Sequence, residues 1–188
     1  LVLFGRSIFL GTRVTKFSHG KLDAFTSVNA PLVGSLGVEI ELSSEITKRF
    51  SSKICLQTGF DTNILVISLF PGQSLDFLSI GVLPKVKGVV LEAYGMGNLP
   101  SSFIPFLQAA KEHKVSVVVR TQCLEGSTSM STYETGRQAL MEGVIEAYDM
   151  SLEASIVKLM WGIKKGVPYE EMGAFLQKNQ VGEIRLCK

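Results

Sequence analysis

The 188-residue chain has no apolar run approaching the roughly 18 residues that a membrane-spanning helix needs, although its mean hydropathy is +0.28. Cysteine is scarce, with Cys55, Cys123 and Cys187 odd in number and far apart. There are two histidines, His19 and His113, and neither joins a Cys in metal-site spacing. A disulfide framework and a Cys/His metal centre are therefore excluded, and reduced thiols in a cytoplasmic protein are expected. An excess of one charge is also missing. Lys plus Arg number 19 and Asp plus Glu 17, a net charge of +2, too small and too evenly spread for a nucleic-acid or membrane-surface protein. No Gly-x-Gly-x-x-Gly occurs, so a dinucleotide site is disfavoured and no cofactor is expected. What is present, 46% hydrophobic and 19% charged residues, is a globular balance that rules out a disordered chain.

Residues 1–10, LVLFGRSIFL, read as a β-hairpin with runs 1–4 and 8–10 around a Gly-Arg-Ser turn. A signal peptide would carry its charge ahead of the apolar core, whereas Arg6 sits in the middle. A strand at the start needs a sheet to join, and the expectation is that upstream sequence belongs before Leu1. Residues 14–17 and 38–42 read as further strands, with a turn-rich excursion at 27–37. The polar stretch 41–52 reads as a linker with a short helical turn.

Beyond the linker, apolar runs alternate with helical patterns. Residues 64–70 (ILVISLF), 88–94 (GVVLEAY) and 115–120 (VSVVVR) read as parallel strands buried on both faces. Between and after them lie an amphipathic stretch at 74–81 and helical patterns at 101–113 and 132–142. Ser151 suits the cap of a helix whose apolar stripe is Leu152, Ile156, Leu159, Met160 and Ile163. Gly166 stops that helix, residues 169–177 form another, and Trp161 and the methionines read as core. This half is a doubly wound α/β domain.

Ligands gather beyond the carboxyl ends of strands in such folds. The first candidate there is the turn after 88–94, where Gly95 and Gly97 permit tight backbone and Asn98 offers a donor and an acceptor. A plain strand–helix turn fits it equally well. The second is the loop of Thr121, Gln122 and Cys123, where structural packing of the thiol outweighs a nucleophile lacking a base. The third is the segment around Thr15 and Lys16. A desolvated Lys beside a Thr hydroxyl can move protons, but spacing alone favours a solvated Lys on a sheet rim.

The order of these segments resembles the bacterial-type L-asparaginase family, including its archaeal relatives in tRNA-dependent amidotransferases. The stretch GTRVTKFSHGKLDAFTSVN resembles the family's Thr-Lys segment followed by Asp-Ala-Phe-x-Ser-x-Asn. GVVLEAYGMGNLP resembles its strand and Gly-x-Gly-Asn turn, and VVVRTQCLEG with TYETGRQALMEGVIEAYDMSLEASIVKLMW its closing region. NQVGEI is similar to its Arg-Gly-Glu-type ending, with Val181 at the basic position.

The resemblance implies an α/β fold made of the end of an N-terminal parallel-sheet domain plus a smaller doubly wound C-terminal α/β domain. The corresponding ranges are 1–42, a linker at 43–60, and 61–188. It implies hydrolysis of L-asparagine to L-aspartate and ammonia through a Thr-bound acyl-enzyme, with Lys16 as the proton-handling Lys. Asn98 then completes the site of a neighbouring subunit in a homo-oligomer, a dimer of dimers, without cofactor or metal. The family's two Thr motifs, a Gly-Gly-Thr turn and a Thr-Asp turn, do not occur in this sequence. The expectation is a later part of such a protein, inactive without its N-terminal segment. A separate effector site of some members corresponds to Thr15, Glu92 and Cys123, with Glu92 where an Arg would pair with the effector's carboxylate. That replacement argues against activation. Val28, where Pro is usual, is expected to loosen its loop. Two further readings stay open: an amidase subunit of a tRNA-dependent amidotransferase, touching nucleic acid only indirectly, and a non-catalytic binding or assembly module.

Overall fold

The computed structural model describes residues 1–44, 55–74 and 81–185. The linker's helical turn, most of the amphipathic stretch at 74–81, and Cys187 lie outside those residues.

Three sheets form. Strands β1 (Val2–Phe4), β2 (Ser7–Phe9), β5 (Gly34–Leu36) and β6 (Ile40–Leu42) make one antiparallel sheet in the order β1-β2-β5-β6. Gly5 turns the first hairpin at φ +59°, a conformation that costs a residue without a Cβ little. Strands β3 (Val14–Lys16) and β4 (Phe25–Ser27) pair antiparallel as a second, two-stranded sheet. The sequence reading missed β4 and β5, which sit among turn residues. Every described pair in this region is antiparallel, and the parallel strands of this α/β chain lie beyond the linker. Connections as short as those of β1–β2, β3–β4 and β5–β6 join strands only in that sense, while β2 meets β5 antiparallel across a longer excursion that carries β3 and β4.

The third sheet is parallel, in the order β10-β9-β8-β7, from β7 (Ile64–Ser68), β8 (Gly88–Ala93), β9 (Ser116–Thr121) and β10 (Ile145–Glu146). Helix α1 (Ile104–Glu112) links β8 to β9, and α2 (Glu134–Met141) links β9 to β10. Alternation in the two central strands assigns the layers. Val89, Leu91, Val117 and Val119 join one core with Phe106 and Leu107 of α1. Val90 and Val118 point into a second core with Leu159 of α3 (Leu152–Lys164) and Met172 and Leu176 of α4 (Tyr169–Gln177). The winding on both faces goes with central strands that are buried at every position but Glu92 of β8.

Two expectations shift. Strand β7 is the sheet edge, so Val66 and Ser68 are exposed rather than buried on both sides. Trp161 is half-buried, stacked at a tilt on Phe175 with ring centroids 5.3 Å apart, instead of sitting in the core. Ser151 caps α3 as expected, its Oγ accepting from the Ala154 N–H at 3.1 Å. Among the described residues no helix is long and apolar enough to cross a membrane.

Leu159 is fully buried beneath the sheet, and a Cβ on Gly88 would meet its side chain at 2.8 Å. Leu159→Ala is expected to lower unfolding free energy by about 2–5 kcal/mol, read as an earlier urea midpoint.

Candidate functional site

The N-terminal strands are fastened to the parallel-sheet domain chiefly around Arg13 and Asn29. Arg13, fully buried just ahead of β3, donates Nε to the Gly182 carbonyl at 2.7 Å and Nη1 to the Asp149 carbonyl at 2.9 Å. The same guanidinium pairs with the Asp149 carboxylate, Nη1 to Oδ2 at 3.0 Å. Asp149 Oδ1 also accepts the Arg185 N–H at 2.7 Å. Asn29, in the left-handed region at φ +54°, donates Nδ2 to the carbonyls of Gly126 and Asp149 and accepts from the Gly126 N–H. Asn tolerates that conformation better than most residues. The Val28 N–H donates to the Arg13 carbonyl at 2.7 Å, a bond Pro lacks the hydrogen to make. Val28 is buried and ties this loop down, opposite to the expectation that it would loosen it.

This junction carries the Thr-Lys segment to the start of α3. The Thr15 hydroxyl donates to Glu153 Oε2 at 2.8 Å. Lys16 is exposed at the end of β3, its Nζ 5.8 Å from the centre of the Phe25 ring. The described residues therefore hold Lys16 in place but do not bury it. Asn98 lies on a different element, the turn after β8, where its N–H and carbonyl bridge Tyr94. Gly95 and Gly97 have φ +48° and +96°, and a Cβ on Gly97 would strike Met130. Asn98 is exposed, and its Oδ1 accepts from the Thr135 hydroxyl.

Glu92 and Cys123 meet around Arg120, while Thr15 does not join them. Arg120 Nη1 pairs with Glu92 Oε1 at 2.7 Å, Nη2 donates to the Cys123 carbonyl at 3.2 Å, and the Ser68 hydroxyl donates to the other Glu92 oxygen. Gln122 Nε2 reaches the Glu92 carbonyl at 2.9 Å. Glu92 is thus half-buried and neutralised within the chain. Cys55 and Cys123 are exposed free thiols.

A second buried pair ties the middle of α3 to the end of α4 and the tail beyond it. Lys158 Nζ donates to Glu183 and to the carbonyls of Leu176 and Lys178, both side chains being 4% exposed. Burial acts to raise the Glu183 carboxyl, but the Lys158 bond and the N–H groups of Val181 and Gln180 outweigh it, leaving it below the usual carboxylate range. Beside this pair lies an open cavity of about 570 Å³, lined among others by Thr12, Phe60, Glu153, Val157 and Trp161. Sequence reasoning missed Arg13, Asn29, Asp149 and the Lys158–Glu183 pair as connectors. Lys158 sits next to the apolar stripe of α3, and a charge there reads as solvated until its partner, 25 residues away, is placed.

A doubly wound α/β domain with polar, glycine-turned strand ends, fastened to a strand segment bearing Thr and Lys, defines a class of domain that collects small ligands at its strand ends. Residues 63–176 match the family model described as "Glutaminase/Asparaginase C-terminal domain". The chain belongs to the asparaginase family and resembles its C-terminal half. It is 34% identical over 96% of its length to a glutamyl-tRNA(Gln) amidotransferase subunit of Methanosarcina mazei, covering 43% of that protein. It is 35% identical over 97% of its length to the L-asparaginase of Thermococcus kodakarensis, covering 56% of that protein. The solved thermostable L-asparaginase from that organism superposes with a TM-score of 0.90 over 98% of this chain. L-asparaginase I from Vibrio cholerae superposes at 0.89 with 34% identity, matched over 57% of its own length. The chain spans about half the length of the curated relatives it matches.

Removing Arg13 strands the Asp149 carboxylate and two carbonyls. Arg13→Ala is expected to cost about 3–5 kcal/mol of stability by chemical denaturation. The Glu183 carboxyl contributes stability that is complete above the ordinary carboxylate range and is lost as pH falls through its lowered folded value. In acid titrations of stability, Glu183→Gln is expected to remove that part of the acid loss while lowering stability at neutral pH, where Lys158 stays buried without its counter-charge.

Proposed function

We propose that this chain is the C-terminal part of an amidohydrolase that converts L-asparagine to L-aspartate and ammonia. The observation that carries the reading is the match to L-asparaginase of Thermococcus kodakarensis along 97% of the chain, with the same backbone course in the solved enzyme. In this reading residues 1–42 end the larger domain, 43–60 connect, and 61–188 form the smaller domain. A Thr hydroxyl attacks the side-chain amide carbon, ammonia leaves with a proton, and water cleaves the resulting ester. The 188 residues hold neither a Gly-Gly-Thr nor a Thr-Asp turn, so both Thr groups come from a further segment. That segment also supplies the burial Lys16 needs to act as a base, since the described residues leave it in water. Asn98, exposed on a rigid glycine turn, is positioned to serve a neighbouring subunit of a cytoplasmic homotetramer. Glu92 is committed to Arg120, which supports a simple, non-cooperative response to asparagine.

A second reading has its own support. The Methanosarcina mazei relative is part of an amidotransferase, and in that setting the released ammonia passes to a tRNA-bound acceptor.

The test is ammonia release from L-asparagine. The 188-residue chain alone is expected to give none, and turnover by it overturns the reading. Supplied with the part of the Thermococcus kodakarensis enzyme that it does not match, it is expected to turn over asparagine hyperbolically, and Lys16→Met then lowers kcat by about 10²–10⁴-fold.

A further inference from the structure

A second cavity lies at the amino ends of the parallel strands, opposite the ends that carry Asn98 and Glu92. It encloses about 210 Å³ between the starts of β8 and β9 and the turn that joins α3 to α4. Pockets for drug-sized ligands run to roughly 300–1,000 Å³, so this one suits a small ion. Ser116, the first residue of β9, lines it together with Ile163 and Met172. Ser116 shares the alternation of Val118, which points into the α3–α4 core, so its side chain lies on the cavity side of the sheet. It is 3% exposed, and its hydroxyl has no hydrogen-bond partner among the described residues. Taking a hydroxyl out of water without a partner is costly, and a bound acceptor removes that cost.

The other hydrogen-bonding side chains of the lining include three basic ones. Lys87, His113 and Lys114 contribute to it, and none of the described lining residues is acidic. His113 and Lys114 follow directly on α1, with Lys114 held in the left-handed region at φ +55°. Two carboxylates approach from outside: Asp61 bonds Lys87 at 2.7 Å, and Glu170 reaches Lys114 at 3.5 Å. An ammonium has three donors, so neither lysine is used up by its one carboxylate. The Lys114–Glu170 pair is also long and mostly exposed, a weak contact that leaves the cation available.

We propose that this cavity binds a small oxyanion, which accepts the hydrogen of the buried Ser116 hydroxyl and is balanced by His113 and Lys114. Phosphate and carboxylate oxygens both accept such charge-assisted bonds, which are the stronger kind. The site shares no residue with Thr15, Lys16, Glu92 or Asn98, so it stands independently of the proposed reaction.

The test is calorimetric titration of the 188-residue chain with inorganic phosphate, sodium chloride holding the ionic strength constant. Saturable binding at one site is expected. Ser116→Ala weakens it about tenfold, the loss of one hydrogen bond to a charged acceptor. Lys114→Gln, at an exposed position, weakens it as well, whereas Lys21→Gln, exposed and outside the cavity, leaves it unchanged. Ser116→Ala keeps or raises the thermal midpoint of the ligand-free chain, because it removes a hydroxyl that bonds nothing, and this separates lost binding from lost folding. L-aspartate, titrated in the same way, separates a carboxylate ligand from a phosphoryl one. Saturation by either anion that Ser116→Ala weakens supports the site. Saturation by neither, or binding that Ser116→Ala and Lys114→Gln both leave intact, overturns it.

Discussion

The guanidinium of Arg13 is the contact that sets the Thr15–Lys16 strand against the parallel-sheet domain. It is a fully buried cation bound to the carboxylate and carbonyl of Asp149 and to the carbonyl of Gly182. Taking both charges out of water is costly, and the pairing recovers that cost only because the geometry satisfies the oxygens so completely. Its contribution is specificity of arrangement. Strand β3 begins one residue after Arg13, α3 begins three residues after Asp149, and Gly182 lies in the tail, so one side chain sets the relation of three segments distant in sequence. Asn29 reinforces it by holding Gly126 and Asp149 from the same side.

With that anchor in place, the chemistry-bearing groups fall into two neighbourhoods. Thr15 and Lys16 ride on β3 beside Glu153 and the open cavity, while Asn98 and the Glu92–Arg120 pair lie at the carboxyl ends of the parallel strands. Each neighbourhood leaves one of its polar side chains exposed. The Lys16 ammonium stays in water, and Asn98 faces outward from a glycine turn.

Much of the parallel sheet was legible in the residues. The runs of Val and Leu in β8 and of Val in β9 leave few alternatives to strands covered on both faces, and Ser151 and Gly166 mark the ends of α3 by local backbone chemistry. The strands β4, β5 and β10 were not legible: β4 and β5 sit among turn residues, and the two residues of β10 carry no period to detect. The candidate site divided in the same way. Gly95, Gly97 and Asn98 announce a tight turn through their own conformational preferences, whereas nothing around Arg13 or Lys158 in sequence indicates a buried cation.

The order of residues was enough to define most local elements, the lack of a long apolar helix and of Cys/His metal spacing, and the succession of segments that resembles one amidohydrolase family. These depend on near neighbours: apolar periodicity, turn residues and short spacings act over a few positions. Three-dimensional packing was needed to establish which charges are buried, that Glu92 is spent on Arg120, that Thr15 turns to Glu153, and that Leu3, Ile8, Gly34 and Leu42 align across four short strands. Most of these depend on residues dozens to more than a hundred positions apart, brought together by contacts that no local preference encodes. The oddly apolar first residues acquire their meaning there, as the paired strands of a hairpin rather than as a run.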